Sequence, residues 1–91
     1  MDKIESLRAL CQSGPAQTGA SMHFNEATNA LGWRHVNVTV HQQTEIVLTL
    51  YVGISPDGDD RPASIDTYAT TLGDALETLT DWVASNRRAA A

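Results

Sequence analysis

Apolar and polar residues alternate most regularly between Glu45 and Ile54. Ile46, Leu48, Leu50, Val52 and Ile54 fall on one side at a period of two, and Val47, Thr49 and Tyr51 fall on the other. A strand with one apolar face and one mixed face belongs to a sheet covered on one side only. Residues 33–41 alternate as cleanly, with Val36, Val38 and Val40 opposed to Trp33, His35, Asn37, Thr39 and His41. Cross-strand partners share a face, so the two stretches predict a hairpin with Val40 opposite Ile46, Val38 opposite Leu48 and Val36 opposite Leu50. That register needs a three-residue loop, Gln42-Gln43-Thr44. A two-residue turn would mix the faces, and no Asn-Gly or Asp-Gly favours one. After a turn-rich stretch from Ser55 to Pro62, residues 63–70 predict a third, weaker strand, with Ile65, Thr67 and Ala69 inward and Ser64, Asp66, Tyr68 and Thr70 outward.

The apolar face of this sheet requires a lid, and two helical patterns supply it. Thr71-Leu72-Gly73-Asp74 reads as a helix cap, followed by Leu72, Ala75, Leu76, Leu79, Trp82 and Val83 at helical spacing. Asp74, Glu77 and Asp81 form the opposite stripe. Residues 2–12 place Ile4, Leu7, Leu10 and Cys11 on one side of a short helix, which Ser13-Gly14-Pro15 is expected to stop. Residues 13–21 then read as a linker. Residues 21–32 fit two patterns: Phe24, Ala27 and Leu31 make a helical face closed by Gly32, while Met22 and Phe24 fit a short strand before a turn at Asn25. The helical pattern is the one preferred. Residues 84–91 should fray, with Arg87 and Arg88 near the negative end of the last helix.

The expected architecture is a single α+β domain over residues 1–91. It is a three-stranded antiparallel meander with N- and C-terminal helices on one face, and residues 33–84 form its β-β-β-α core. Hydrophobic content of 42% suits a small packed core, and aromatics are few at 5%. No run approaches the ~20 apolar residues of a membrane span, and Met1-Asp2-Lys3-Ile4-Glu5 has no signal-peptide pattern, so a cytoplasmic protein is expected. Cys11 is the only cysteine, which leaves neither a disulfide framework nor a thiolate metal site.

Charge narrows the partners. The formal net charge is −5, and residues 57–81 hold seven of the eleven acids with Arg61 as their one base. Such a chain has no electrostatic reason to hold a phosphate backbone, so direct nucleic-acid binding is not expected.

Candidate chemistry is sparse. Asp57-Gly58-Asp59-Asp60 suggests a calcium loop, yet the twelfth position counted from Asp57 is Tyr68, where that loop needs a glutamate. His35 and His41 share a face but stand six residues apart, roughly 20 Å along a strand, too far to ligate one metal. His23 cannot be paired with either from the sequence. No serine sits in a Gly-x-Ser-x-Gly elbow, and Cys11 has no evident histidine partner. His35, Tyr51, Asp66 and Tyr68 could meet as an acid–base cluster, but a bare sheet face offers a plane rather than a pocket. No cofactor, no metal and no enzymatic activity are therefore expected.

The order helix–three strands–helix resembles the double-stranded-RNA-binding domain. That family needs a lysine cluster at the start of its last helix, where this chain has Thr71-Leu72-Gly73-Asp74. The stretch Ala69-Thr70-Thr71-Leu72-Gly73-Asp74-Ala75-Leu76 is similar to the strand-to-helix junction of HicB-type antitoxins, which implies an antitoxin-like module. Size, acidity and architecture together are similar to those of small phage proteins that inhibit CRISPR complexes.

The functional expectation is a non-enzymatic binding protein that blocks or regulates a protein partner. Its candidate surfaces are the open sheet face, with Trp33, His35, Asn37, His41, Tyr51, Asp66 and Tyr68, and the acidic stripe of Asp74, Glu77 and Asp81. A basic partner surface, such as the groove of a nucleic-acid-binding complex, would suit the stripe. The alternative is an RNA-binding sheet platform that stacks bases on Trp33, Tyr51 and Tyr68. The chain is expected as a monomer, or as a homodimer paired through an edge strand.

Overall fold

A computed structural model of the chain describes residues 3–57 and 69–88. In chain order the elements are α1 (Lys3–Thr18), β1 (Ser21–Thr28), β2 (Arg34–Gln42), β3 (Glu45–Ile54), β4 (Ala69–Thr70) and α2 (Leu72–Ser85). The α+β architecture is the expected one: an N-terminal helix, a three-stranded antiparallel sheet and a C-terminal helix. The strands that build the sheet are different ones. β1, β2 and β3 form the antiparallel meander, and β4 adds two residues parallel to β3.

Residues 21–28 are therefore a strand, not the preferred helix. β1 pairs with β2 over eight rungs, from Ser21–His41 to Thr28–Arg34. Met22, Phe24 and Glu26 share rungs with Val40, Val38 and Val36, so alternation wins over the helical spacing of Phe24, Ala27 and Leu31. Ala27 and Leu31 are exposed. Gly32 has the positive φ (87°) expected of a chain stop, but it closes the hairpin loop between β1 and β2. Residues 33–41, expected at an edge, run through the interior of the sheet, and β1 is the long edge strand among the described elements. Of the strand expected over 63–70, residues 63–68 lie outside the described residues. In β4, Thr70 rather than Ala69 stands beside the core residue Val52.

The β2–β3 hairpin solves its parity problem in an unforeseen way. The turn has two residues, Gln43-Thr44, between paired Gln42 and Glu45, with Gln43 at φ 57°. Such a turn alone would pair Val40 with Val47 and mix the faces. Between the rungs Val40–Leu48 and His41–Ile46, however, β3 carries an extra residue, Val47, as a β-bulge. The bulge restores Val38 opposite Leu50 and Val36 opposite Val52, two residues along from the expected partners. It also rotates Ile46 off the covered face, to stand opposite His41 with 61% of its surface exposed.

Both helices cover the valine face. Val36, Val38, Val40 and Val52 are fully buried with Leu7 of α1 and Leu79 of α2. α1 buries Ile4, Leu7, Cys11, Gly14 and Thr18 at steps of three and four, and so extends past the expected stop. Pro15 removes one backbone donor. Gly14 before it has no Cβ to clash with the proline ring, which lets the helix continue. Gly14 is also a packing notch, since an added Cβ would collide with the Met22 sulfur. The helix ends at Gly19, whose φ of 79° and N–H bond to the Pro15 carbonyl (2.8 Å) make the C-terminal cap.

α2 begins as expected, with the Thr71 hydroxyl accepting from the Asp74 amide at 3.2 Å. Its far end does not fray at once. The Asn86 amide bonds back to Trp82, and the Arg88 amide donates to the Gln17 carbonyl at 2.7 Å. The Arg88 guanidinium donates to the Ala16 carbonyl at 2.9 Å. A cation thus sits at the negative end of α1, rather than simply trailing α2. On the other flank, Glu26 joins Arg8 and Arg34, Arg8 also pairs with Glu5, and the Arg8 guanidinium lies 5.2 Å from the Phe24 ring centre.

The bulge makes a clear prediction. Leu50→Ala should cost about 2–4 kcal/mol of stability in urea unfolding. Ile46→Ala should stay within about 0.5 kcal/mol. Unbroken alternation over residues 45–54 would require comparable losses at both positions.

Candidate functional site

With both helices on one side, the opposite side of the sheet is uncovered by any described element. The register places its side chains as a lattice. His35 stands between Ala27 and Gly53, Asn37 between Asn25 and Tyr51, Thr39 between His23 and Thr49, and His41 between Ser21 and Ile46. The face expected from β2 and β3 is therefore present, with His35, Asn37, His41 and Tyr51 all on it and half-buried. Trp33 is half-buried at the mouth of β2. Asp66 and Tyr68 lie outside the described residues. β1 contributes Ser21, His23, Asn25 and Ala27, which the helical reading of 21–32 had kept away from the sheet. The period-two spacing of Met22 and Phe24 was the signal for them.

A hydrogen-bonded chain orders one end of the face. Asn29 accepts the amides of Leu31 (2.9 Å) and Trp33 (3.0 Å) on its Oδ1. Its Nδ2 is thereby turned toward His35 Nε2 at 3.2 Å. An amide nitrogen can only donate, so Nε2 must accept and the ring proton belongs on Nδ1. Nδ1 then donates to the Tyr51 hydroxyl oxygen at 2.7 Å, leaving the hydroxyl hydrogen free to point outward. Gly53, directly across from His35, presents no side chain to intervene. Midway along, Thr39 donates to Asn37 Oδ1 at 3.3 Å. At the hairpin end, the His23 and His41 rings meet edge to face.

This face presents ordered donors, acceptors and rings. His35 and Tyr51 do meet, as two members of the acid–base cluster, and the other two, Asp66 and Tyr68, lie outside the described residues. The shallow groove between the end of α1 and the β2–β3 hairpin, lined by Thr18, Gly19, Gln42, Gln43, Glu45 and Val47, brings a single ionisable group, Glu45. Among the described residues no group of three or more His, Cys, Asp or Glu side chains gathers around a common point. The acidic stripe lies on the other side of the molecule. Asp74, Glu77 and Asp81 are exposed on α2, and no ion pair among the described residues engages them.

Cys11 is 6% exposed inside the helix layer, and burial pushes its thiol up from 9.0 to about 11. A thiol so placed is a small core residue rather than a nucleophile.

No known protein family matches this chain, and comparison with curated proteins and with solved structures finds no match to it. No described helix is long and apolar enough to cross a membrane.

Two measurements check this geometry. Imidazole NMR should find His35 as the less common Nδ1–H tautomer, and Asn29→Asp should move the proton to Nε2, because a carboxylate oxygen accepts where the amide donated. For Cys11, the folded thiol holds its proton to higher pH than the unfolded one. Its stabilising contribution is therefore complete below pH 9.0 and lost as pH rises toward about 11. Cys11→Ala should flatten that decline in a series of urea titrations across the window.

Proposed function

We propose that this protein is a non-enzymatic binding protein that blocks or regulates a protein partner through the open face of its sheet. The observation that carries this reading is the state of that face. Half-buried polar and aromatic side chains line it, with His35 bonded to Tyr51 and Asn37 to Thr39, and exposed apolar residues stand at both ends of the sheet. Leu31, 78% exposed, lies in the β1–β2 loop, and Ile46 lies beside the β2–β3 turn. Side chains already ordered lose little further entropy on docking, and apolar groups around a polar, aromatic centre match the composition of protein interfaces.

The same face is poorly suited to nucleic acid. Among the described residues, Arg8 and Arg34 lie on the helix side, where both pair with Glu26. Tyr51, one of the rings needed for stacking, is tied by its hydroxyl to His35. The second protein-binding reading uses the acidic stripe, whose carboxylates are all exposed and unpaired among the described residues. A basic partner surface, including that of a nucleic-acid-binding host complex as a phage-type inhibitor would require, is its natural complement.

Affinity capture from source-cell lysate with three forms of the tagged chain separates these readings. The wild type and a Glu77→Lys/Asp81→Lys variant should retain the same stoichiometric protein, and a Thr39→Arg/Thr49→Arg variant should lose it. Loss in the helix variant alone would transfer the function to the stripe. Retention of nucleic acid, or of no reproducible partner by the wild type, would overturn the proposal.

A further inference from the structure

His23 of β1 and His41 of β2 are eighteen residues apart in the chain, yet their ring centres stand 5.4 Å apart with planes at 81°. They are diagonal neighbours on the lattice, since His23 pairs with Thr39 and His41 with Ser21. Two imidazoles that share one tetrahedral zinc ion, at bonds of ~2.0–2.1 Å, have ring centres roughly 5 Å apart. The separation of this pair is that of two ligands to one ion, and the edge-to-face contact, in which the in-plane lone pairs of the two rings do not converge, must open by a turn of one ring for both to reach it.

A second, independent observation concerns the ring of His41. Its Nδ1 is shut away from solvent without a hydrogen-bond partner, the one side-chain nitrogen or oxygen among the described residues in that state. Leaving such an atom unpaired forfeits its solvation, so a buried orphan calls for a water or an ion that completes it. An imidazole nitrogen with an unused lone pair is also a good ligand for borderline divalent metals.

We infer that His23 and His41 form an open two-imidazole site for a borderline divalent cation of the zinc, nickel or copper class, with water in the remaining positions. The two ligands have different characters. His41 is half-buried between two strands. His23 is exposed on the edge strand, and its ring can turn about its side-chain torsions to aim a nitrogen at the same point. Their rung partners Ser21, Thr39 and Ile46 bring no carboxylate, and no third His, Cys, Asp or Glu among the described residues joins the pair. The site therefore favours metals that accept imidazole over magnesium or calcium, which require oxygen ligands. His35 takes no part, because both its ring nitrogens are engaged by Asn29 and Tyr51. This inference stands apart from the partner-binding proposal and does not rest on it.

The test is a titration of the metal-free full-length protein with zinc chloride, followed by NMR of the imidazole rings. One equivalent should bind saturably, moving the ring signals of His23 and His41 and leaving those of His35 in place. His23→Gln, a change at an exposed position that should leave the backbone spectrum intact, should weaken binding at least about tenfold. Magnesium chloride should move none of the three. Absence of saturable binding at millimolar zinc, or undiminished binding by the folded His23→Gln variant, would overturn the inference and leave the orphan nitrogen of His41 to water.

Discussion

The constraint on which the rest of this molecule depends is the burial of the β2 valines. Val36, Val38 and Val40 are each withdrawn completely from water, and each contributes about 1.5–3 kcal/mol by leaving it. Their side chains can all point the same way only while β2 stays extended and in register on both sides. β1 meets that demand by placing Met22 and Phe24 on the same side, and β3 meets it through Leu48, Leu50 and Val52. The two helices then close over the face. Leu7 and Leu79 are as completely buried as the valines beneath them.

The bulge at Val47 follows from the same constraint. A two-residue turn brings β3 back one residue out of phase with the valines, and one added residue puts it in phase again. The correction can act only on the rungs beyond it. The rungs next to the turn keep the uncorrected phase, which is why Ile46 faces outward beside His41. The apolar residue at the hairpin end of the open face is thus a consequence of how the core is kept in register, and the proposed binding surface makes use of it.

The two helix ends illustrate how tertiary contacts override local signals. Gly14-Pro15 is a sound stop signal in isolation. Here the lack of a Cβ on Gly14 gives the Met22 side chain its seat and eases the strain that proline imposes on its predecessor, so the helix runs on to Gly19. Arg88 reaches back across the molecule to the carbonyl of Ala16 and holds the C-terminal segment against α1. The cation does favour a helix end, but the helix is a different one from that in which it resides.

The amino-acid sequence was enough for the α+β class, for strands over 33–41 and 45–54, and for the face on which each β2 residue lies. It also determined the cap of α2 at Thr71 and the placement of Cys11 in a helix core. Each of these rests on periodicity or capping chemistry within a single element, where the residues that decide the outcome are close in the chain. Only the tertiary structure decided that residues 21–28 are a strand, because a short stretch compatible with two periods takes the one that completes a neighbour's ladder. Only it decided the register of the hairpin, since a bulge changes parity without any composition signal. On the open face, the line of His35, Asn37, Thr39 and His41 was legible from alternation. The Asn29–His35–Tyr51 chain and the meeting of His23 with His41 were not, because both depend on which rungs of separate strands stand side by side.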